Sequence, residues 1–86
     1  MPGVARKDQD TAGGTIIGGS GDVFVNGTGA ARIGDAVAGH GPGIHSGPVM
    51  AEGSSTVFVN GISVCRAGDI ATCGDPATGS SNVFAG

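Results

Sequence analysis

Apolar residues along the chain come in short runs broken by glycine, and the clearest runs are β-branched or aromatic: Asp22-Val23-Phe24-Val25 and Thr56-Val57-Phe58-Val59. Each ends in an Asn-Gly pair, Asn26-Gly27 and Asn60-Gly61. Asn-Gly after such a run is the strongest short-range hairpin signal, because a two-residue type I′ turn needs positive φ at both of its central positions. Two β-hairpins are therefore predicted. Glycines fall every few residues elsewhere, and each one inside a helix costs on the order of 1 kcal/mol against alanine, so no helix is predicted.

These runs belong to a threefold repeat. Arg6-Lys7-Asp8 leads to Val23-Phe24-Val25-Asn26-Gly27, Arg32-Ile33-Gly34-Asp35 leads to Val57-Phe58-Val59-Asn60-Gly61, and Arg66-Ala67-Gly68-Asp69 leads to Val83-Phe84-Ala85-Gly86. The Arg-to-Phe steps are 18, 26 and 18 residues, so the middle unit carries an eight-residue insertion. Every Arg and every Phe of the chain occupies one of these equivalent positions. A small residue, Ala5, Ala31 or Cys65, precedes each Arg, which implies a tightly packed site there. One domain of three units is expected, over residues 4–27, 30–61 and 64–86. No unit of this size buries its apolar face alone, so the three are predicted to pack around a common axis as a mainly β, pseudo-threefold cone. Phe24, Phe58 and Phe84 are expected in its core. The three arginines read as solvated or backbone-bonding turn residues, and Asp35 and Asp69 as Asx-type turn residues.

Composition changes the picture in one respect. With 19 glycines and 4 prolines in 86 residues, the chain nears the range in which an aperiodic sequence is low-complexity or disordered; the repeat gives the glycines a register. Leu, Trp and Tyr are absent, and Ile, Val and Phe together number 18. A core this small supplies only roughly 3–5 kcal/mol, so a metal, a disulfide or a partner is expected to reinforce it. The net charge of −3 has the wrong sign for nucleic acid or an anionic membrane surface, and no nucleic-acid partner is predicted. No apolar run approaches the ~18 residues of a membrane span. Residues Met1 to Asp10 hold no basic stretch followed by an apolar one, so no signal peptide is predicted and synthesis is expected to end in the cytoplasm. Under reducing conditions Cys65 and Cys73 read as thiols or metal ligands rather than a disulfide.

Candidate chemistry lies where the repeats differ. The insertion holds both histidines, in His40-Gly41-Pro42-Gly43-Ile44-His45. Aligning the third unit on the first at an offset of 60 sets Cys73 against Gly13 and Asp75 against Thr15. His40, His45, Cys73 and Asp75 thus form a candidate ligand set, H-x4-H from one unit and C-x-D from the next, that suits tetrahedral Zn²⁺. The plain alternative is a pair of surface-loop histidines. The metal is favoured because its binding free energy is also folding free energy, which a chain poor in core residues needs most. Four protein ligands make a closed structural site; without Asp75 an open position makes hydrolysis conceivable. Cys65 is the fallback fourth ligand, although its alignment with Ala5 and Ala31 points to a small buried residue. Gly13-Gly14, Gly18-Gly19 and Gly79-Ser80 make no phosphate loop, since no Gly-Lys-Ser/Thr follows, and no nucleophile is paired with a base. No catalytic residue is predicted.

The segment Ala30-Ala31-Arg32-Ile33-Gly34-Asp35, the two Val-Phe-Val-Asn-Gly segments around it and the closing Ala77-Thr78-Gly79-Ser80-Ser81-Asn82-Val83-Phe84 resemble PAAR-repeat proteins over essentially the whole chain. The resemblance implies the sharp tip of a contractile injection machine, docked on the blunt end of a trimeric VgrG-like or phage tail spike. It implies zinc near the apex, held by His40, His45 and Cys73. The family's fourth ligand is usually a histidine where this chain has Asp75, which leaves Asp75, Cys65 or water to complete the shell; a thiolate with two imidazoles favours zinc over iron. The eponymous Pro-Ala-Ala-Arg reads Gly29-Ala30-Ala31-Arg32 here. Such a tip is expected to sit as a monomer on its threefold partner through an apolar face, to touch membrane only in transit while piercing, and to leave the cell or virion with the spike. Effector cargo would bind it noncovalently. A zinc-dependent hydrolase and a free-standing effector adaptor are the alternative functions.

Overall fold

A computed structural model describes residues 1–86. The regular elements are six two-residue strands: β1 (Thr11–Ala12), β2 (Gly14–Thr15), β3 (Phe24–Val25), β4 (Thr28–Gly29), β5 (Phe58–Val59) and β6 (Ile62–Ser63), with one 3₁₀ turn at Gly43–His45. They pair as three antiparallel ribbons, β1 with β2, β3 with β4 and β5 with β6. The β3–β4 and β5–β6 ribbons are the Asn-Gly hairpins. Asn26 and Gly27 have φ of 53° and 84°, and Asn60 and Gly61 have 55° and 76°, the paired positive values of a type I′ turn.

A third basal hairpin is made from the two ends of the chain. Gly3 pairs with Phe84, Val4 N–H donates to Val83 O (2.8 Å) and Ala85 N–H donates to Pro2 O (3.0 Å). Gly3 thereby holds the place that Gly29 and Ser63 hold opposite Phe24 and Phe58. Single bridges then tie each unit to the next: Arg6 to Ala30, Arg32 to Val64 and Arg66 to Val4. Where the units meet, the backbone closes a ring of three hydrogen bonds, Ala5 N–H to Cys65 O, Cys65 N–H to Ala31 O and Ala31 N–H to Ala5 O, at 2.8–2.9 Å. The three side chains on this ring are fully buried, which is why the residue before each Arg is small: three Cβ atoms converge on one axis.

The core is a stack of such triads. One cluster contains Ala5/Ala31/Cys65, Ala12/Val37/Ala71 and Ile16/Met50/Ala77, with Cys73 added; the second contains Val4/Ala30/Val64 and Val25/Val59/Ala85. Each triad draws one residue from each unit. The molecule measures 32 × 23 × 22 Å, one long axis and two nearly equal short ones, as a body built around a threefold axis requires. The basal hairpins close one end of the stack and the three connecting loops, which carry Cys73, close the other.

The phenylalanines are not in this core, contrary to expectation. Phe24, Phe58 and Phe84 are 60%, 55% and 49% exposed, while Val25, Val59 and Ala85 beside them are buried. Successive residues of a strand point to opposite faces, and an axis filled by alanine and valine triads has no room for three aromatic rings. Val23, Val57 and Val83, each just before its Phe and outside the named strands, are also partly exposed, so each hairpin leaves apolar surface of both residues open.

Each arginine clamps its own turn. The carboxylate of Asp10, Asp35 or Asp69 accepts the backbone N–H, the Nε–H and an Nη2–H of Arg6, Arg32 or Arg66, with distances of 2.7–3.3 Å. The turn aspartates therefore bond the backbone, but at the N–H three or four residues before them rather than two residues on as an Asx turn would, and the guanidinium adds a charge-assisted fork. In the first unit the partner is Asp10 rather than Asp8: Asp8 holds the positive-φ place that Gly34 and Gly68 hold in the other turns (63° against 91° and 92°), and one extra residue follows it before the clamping carboxylate. Asn26 Oδ1 and Asn60 Oδ1 reach across to Arg6 Nη1 and Arg32 Nη1 at 3.3 and 3.2 Å.

A serine motif locks neighbouring units and escaped the sequence reading. Ser20, Ser54 and Ser80 are buried, and each hydroxyl oxygen accepts the two N–H groups two and three residues ahead. Each hydroxyl also bonds to another unit, Ser80 to Asn26 Oδ1 (3.0 Å), Ser20 to Asn60 Oδ1 (2.7 Å) and Ser54 to Gly86 O. The common pattern Ser-x-Asp/Thr/Asn-Val-Phe was its signal. In the middle lock Asn60 Nδ2–H and the Ser20 hydroxyl hold the Asp22 carboxyl below the usual carboxylate range. A depressed carboxyl pKa stabilises the fold above its unfolded value of about 3.9, and the contribution is lost as pH falls through the folded value. Urea midpoints of wild type and Asp22→Asn are accordingly expected to differ at pH 6 and to converge by about pH 2; a constant gap across that range would remove the carboxylate from the lock.

Candidate metal centre

The loops at the end opposite the hairpins differ in length. Thr11 pairs with Thr15, so the first unit turns within Ala12-Gly13-Gly14, whereas Ile70 pairs with Pro76 and the third unit has room for Ala71 to Asp75. The uniform offset of 60 therefore fails in this region. Asp10 matches Asp69, and Cys73 and Asp75 stand in a loop two residues longer than its counterpart rather than replacing Gly13 and Thr15. In the middle unit Ala36 pairs with Val49, and the insertion lies between them.

That insertion folds back on itself. Pro42 leads into the 3₁₀ turn Gly43–His45, Gly43 takes φ of 65°, and His40 N–H donates to His45 O at 2.8 Å. This backbone bond closes H-x4-H into a loop with both imidazoles on one side, their centroids 4.9 Å apart at 61°. In the third unit Gly74 N–H donates to Ala71 O (2.9 Å) and Ala71 N–H to Asp75 O (3.0 Å), with Gly74 at φ of 87°. The turn directs Cys73 and Asp75 at the histidines.

All four sequence-predicted donors come together, with donor atoms within 4.8 Å of one another. His40 Nε2 is 2.8 Å from Asp75 Oδ2 and 3.0 Å from His45 Nδ1; His45 Nδ1 is 3.4 Å from Asp75 Oδ2; Cys73 Sγ is 3.4 Å from Asp75 Oδ2 and 3.8 Å from His40 Nε2. Donors 2.0–2.3 Å from a tetrahedral ion are separated by roughly 3.3–3.8 Å, so this cluster could hold a metal ion with little rearrangement. The donor chemistry, two imidazoles, a thiol and a carboxylate, is a Zn²⁺-compatible set. Ala38 O lies 3.1 Å from His40 Nδ1; with Nδ1–H donating there, the neutral ring turns its Nε2 lone pair toward the other donors. That carbonyl first, and Asp75 second, push the His40 pKa up, while His40 and then Cys73 hold the Asp75 carboxyl low. Cys73 is buried, Asp75 and His45 half-buried and His40 on the exposed side.

Cys65 is not brought to this cluster. Its Sγ bonds to Glu52 O at 3.2 Å within the axial triad, and burial, with the Asp69 and Asp35 charges, pushes its pKa to about 12. Such a thiol is neutral and acts as a small apolar residue. Both cysteines are free. The first unit gives no donor, but its turn lies against the site: a Cβ on Gly14 would stand 2.9 Å from His40 Nδ1, and one on Gly13 would stand 2.8 Å from His40 Cε1.

The family model for the PAAR motif matches residues 6–79, from the first clamping arginine through the third-unit loop. The chain belongs to the PAAR-motif family. The matched span covers all three Arg–Asp turns and all four clustered donors. Comparison with curated proteins found no match. PAAR membership makes this a spike-tip protein in general, of a structural rather than enzymatic family, and implies association with spike proteins.

Proposed function

We propose that this PAAR protein caps the blunt end of a trimeric β-helical spike, of the VgrG-like or phage-tail kind, and helps drive it through a target envelope. The observation that carries the reading is the set of three exposed phenylalanines at equivalent positions around the pseudo-threefold axis. Large apolar side chains left exposed at three equivalent positions supply apolar area for a partner to cover, and a threefold-symmetric arrangement fits a threefold-symmetric partner. The whole chain acts as one domain of three units, 4–27, 30–61 and 64–86, and leaves the cell or virion with the spike, carrying any effector noncovalently.

At the other end, His40, His45, Cys73 and Asp75 hold one structural Zn²⁺. Zinc supplies cross-linking there: it ties the middle insertion to the third-unit loop, where two turns with little core beneath them meet. Four protein donors leave no position for water, which favours a structural over a hydrolytic role.

Docking is tested by co-purification with a trimeric spike. Phe24→Asp/Phe58→Asp is expected to lose spike binding by about a hundredfold or more, since interface aromatics are the residue types whose loss costs 2 kcal/mol or more each. Its thermal midpoint should stay near wild type, because exposed substitutions away from packed features change stability by about 0.5 kcal/mol or less. Undiminished spike binding by this variant would remove the basal face from the interface.

A further inference from the structure

We propose that Gly13 positions Asp75: the unit that supplies no donor shapes the metal site by leaving space, and a side chain at residue 13 would expel the Asp75 carboxylate. This inference rests on the metal reading above. A Cβ built on Gly13 falls far inside van der Waals distance of Asp75 Oδ2 and His40 Nε2, and 2.8 Å from His40 Cε1. The space above Gly13 is therefore the space in which two of the four donors meet. Neither Cys73 nor His45 is among the atoms nearest that point.

The two crowded donors are not equally free to move. His40 is held from behind through Nδ1 to Ala38 O. The Asp75 carboxylate is held only from inside the cluster, by hydrogen bonds to His40 and Cys73 and by His45 Nδ1 at 3.4 Å. With a Cβ at residue 13 both crowded groups must give: the His40 ring can only turn about its Ala38 O anchor, whereas Asp75, with no bond outside the cluster, swings outward. The result is a site of two imidazoles and one thiolate with an open position, the arrangement that catalytic rather than structural zinc sites have. Gly14 supports the same geometry from the next position, since its Cβ would meet Ala38 O and His40 Nδ1.

The test is Co²⁺ titration, followed by visible absorption, of wild type, Gly13→Ala, Asp75→Ala, the double variant and Gly34→Ala. Gly34 controls for backbone strain: its φ of 91° matches the 84° of Gly13, but a Cβ there meets nothing within 4 Å. Gly13→Ala is expected to lose about tenfold or more in Co²⁺ affinity, as loss of a group that orients metal ligands does. Its spectrum should move to that of Asp75→Ala and keep the thiolate charge-transfer band of Cys73. The double variant should bind no more weakly than Asp75→Ala alone, because both changes remove one donor. Gly34→Ala should bind within about twofold of wild type, as a remote site adds nothing to the cluster. Should Gly13→Ala fold poorly, adding Asp75→Ala should restore part of its metal-free thermal midpoint. Wild-type affinity and spectrum in Gly13→Ala, additive losses, an equal loss in Gly34→Ala, or no such restoration would each overturn the assignment. Wild type that binds no Co²⁺ would instead overturn the metal reading, and this inference with it.

Discussion

Ala31→Leu is expected to leave the protein largely unfolded. Ala31 is fully buried on the axial ring, its N–H and C=O both committed to that ring, and its Cβ faces those of Ala5 and Cys65. Overpacking a well-filled core costs about 1–3 kcal/mol, more where backbone has to move. Here any outward shift also breaks ring hydrogen bonds, each worth about 1 kcal/mol. Set against the roughly 3–5 kcal/mol that a core of this size supplies, the loss consumes most of the stability. For a domain of this length 1 kcal/mol corresponds to roughly 4–8 °C, so a scanning-calorimetry midpoint should fall by about 15 °C or the transition should vanish. Ile33→Leu, a volume-conserving change at a partly exposed position, serves as the control for introducing Leu outside the axis. A midpoint for Ala31→Leu within about 4 °C of wild type would mean that the axis is looser than the triads imply.

Removing the proposed zinc is expected to have an effect at least as large. Elemental analysis of purified wild type should find one zinc per chain, and prolonged chelation should lower the thermal midpoint by about 20 °C or more, because structural zinc contributes its binding free energy to folding. His40→Ala should lose nearly all metal, since it removes the donor nearest both Asp75 and His45. Asp75→Ala should retain a weakly held fraction through the two imidazoles and Cys73. Full retention in both variants would sink the site as drawn.

The sequence disclosed most of this architecture through its symmetry. Arg and Phe in register gave the three units, Asn-Gly gave two hairpins, and the small residue before each Arg announced the axis where Ala5, Ala31 and Cys65 meet. All four clustered donors were legible because they lie where the repeat is broken. The orientation of Phe24, Phe58 and Phe84 was not, for a physical reason: in Val-Phe-Val both parities of the strand are apolar, so alternation cannot tell which face is buried. The pairing of each Arg with a turn carboxylate was not read, and in the first unit one extra residue moves that carboxylate from the Arg-x-x-Asp position to Asp10. The role of Gly13 was hidden since a missing side chain leaves no signal beyond the glycine itself. The third hairpin was illegible because Gly3 and Phe84 stand at opposite ends of the chain.

That last pairing has a consequence for how the molecule comes to be. Val4 pairs with both Arg66 and Val83, so the third unit is incomplete until the first and last residues meet, and two finished units leave an open wedge with the axial triads unfilled. Contacts between residues this distant must bear the entropy of closing nearly the whole chain before they return any energy, which makes folding slow. The axial triads of the third unit can therefore fill only when Val83 to Ala85 reach Pro2 to Val4.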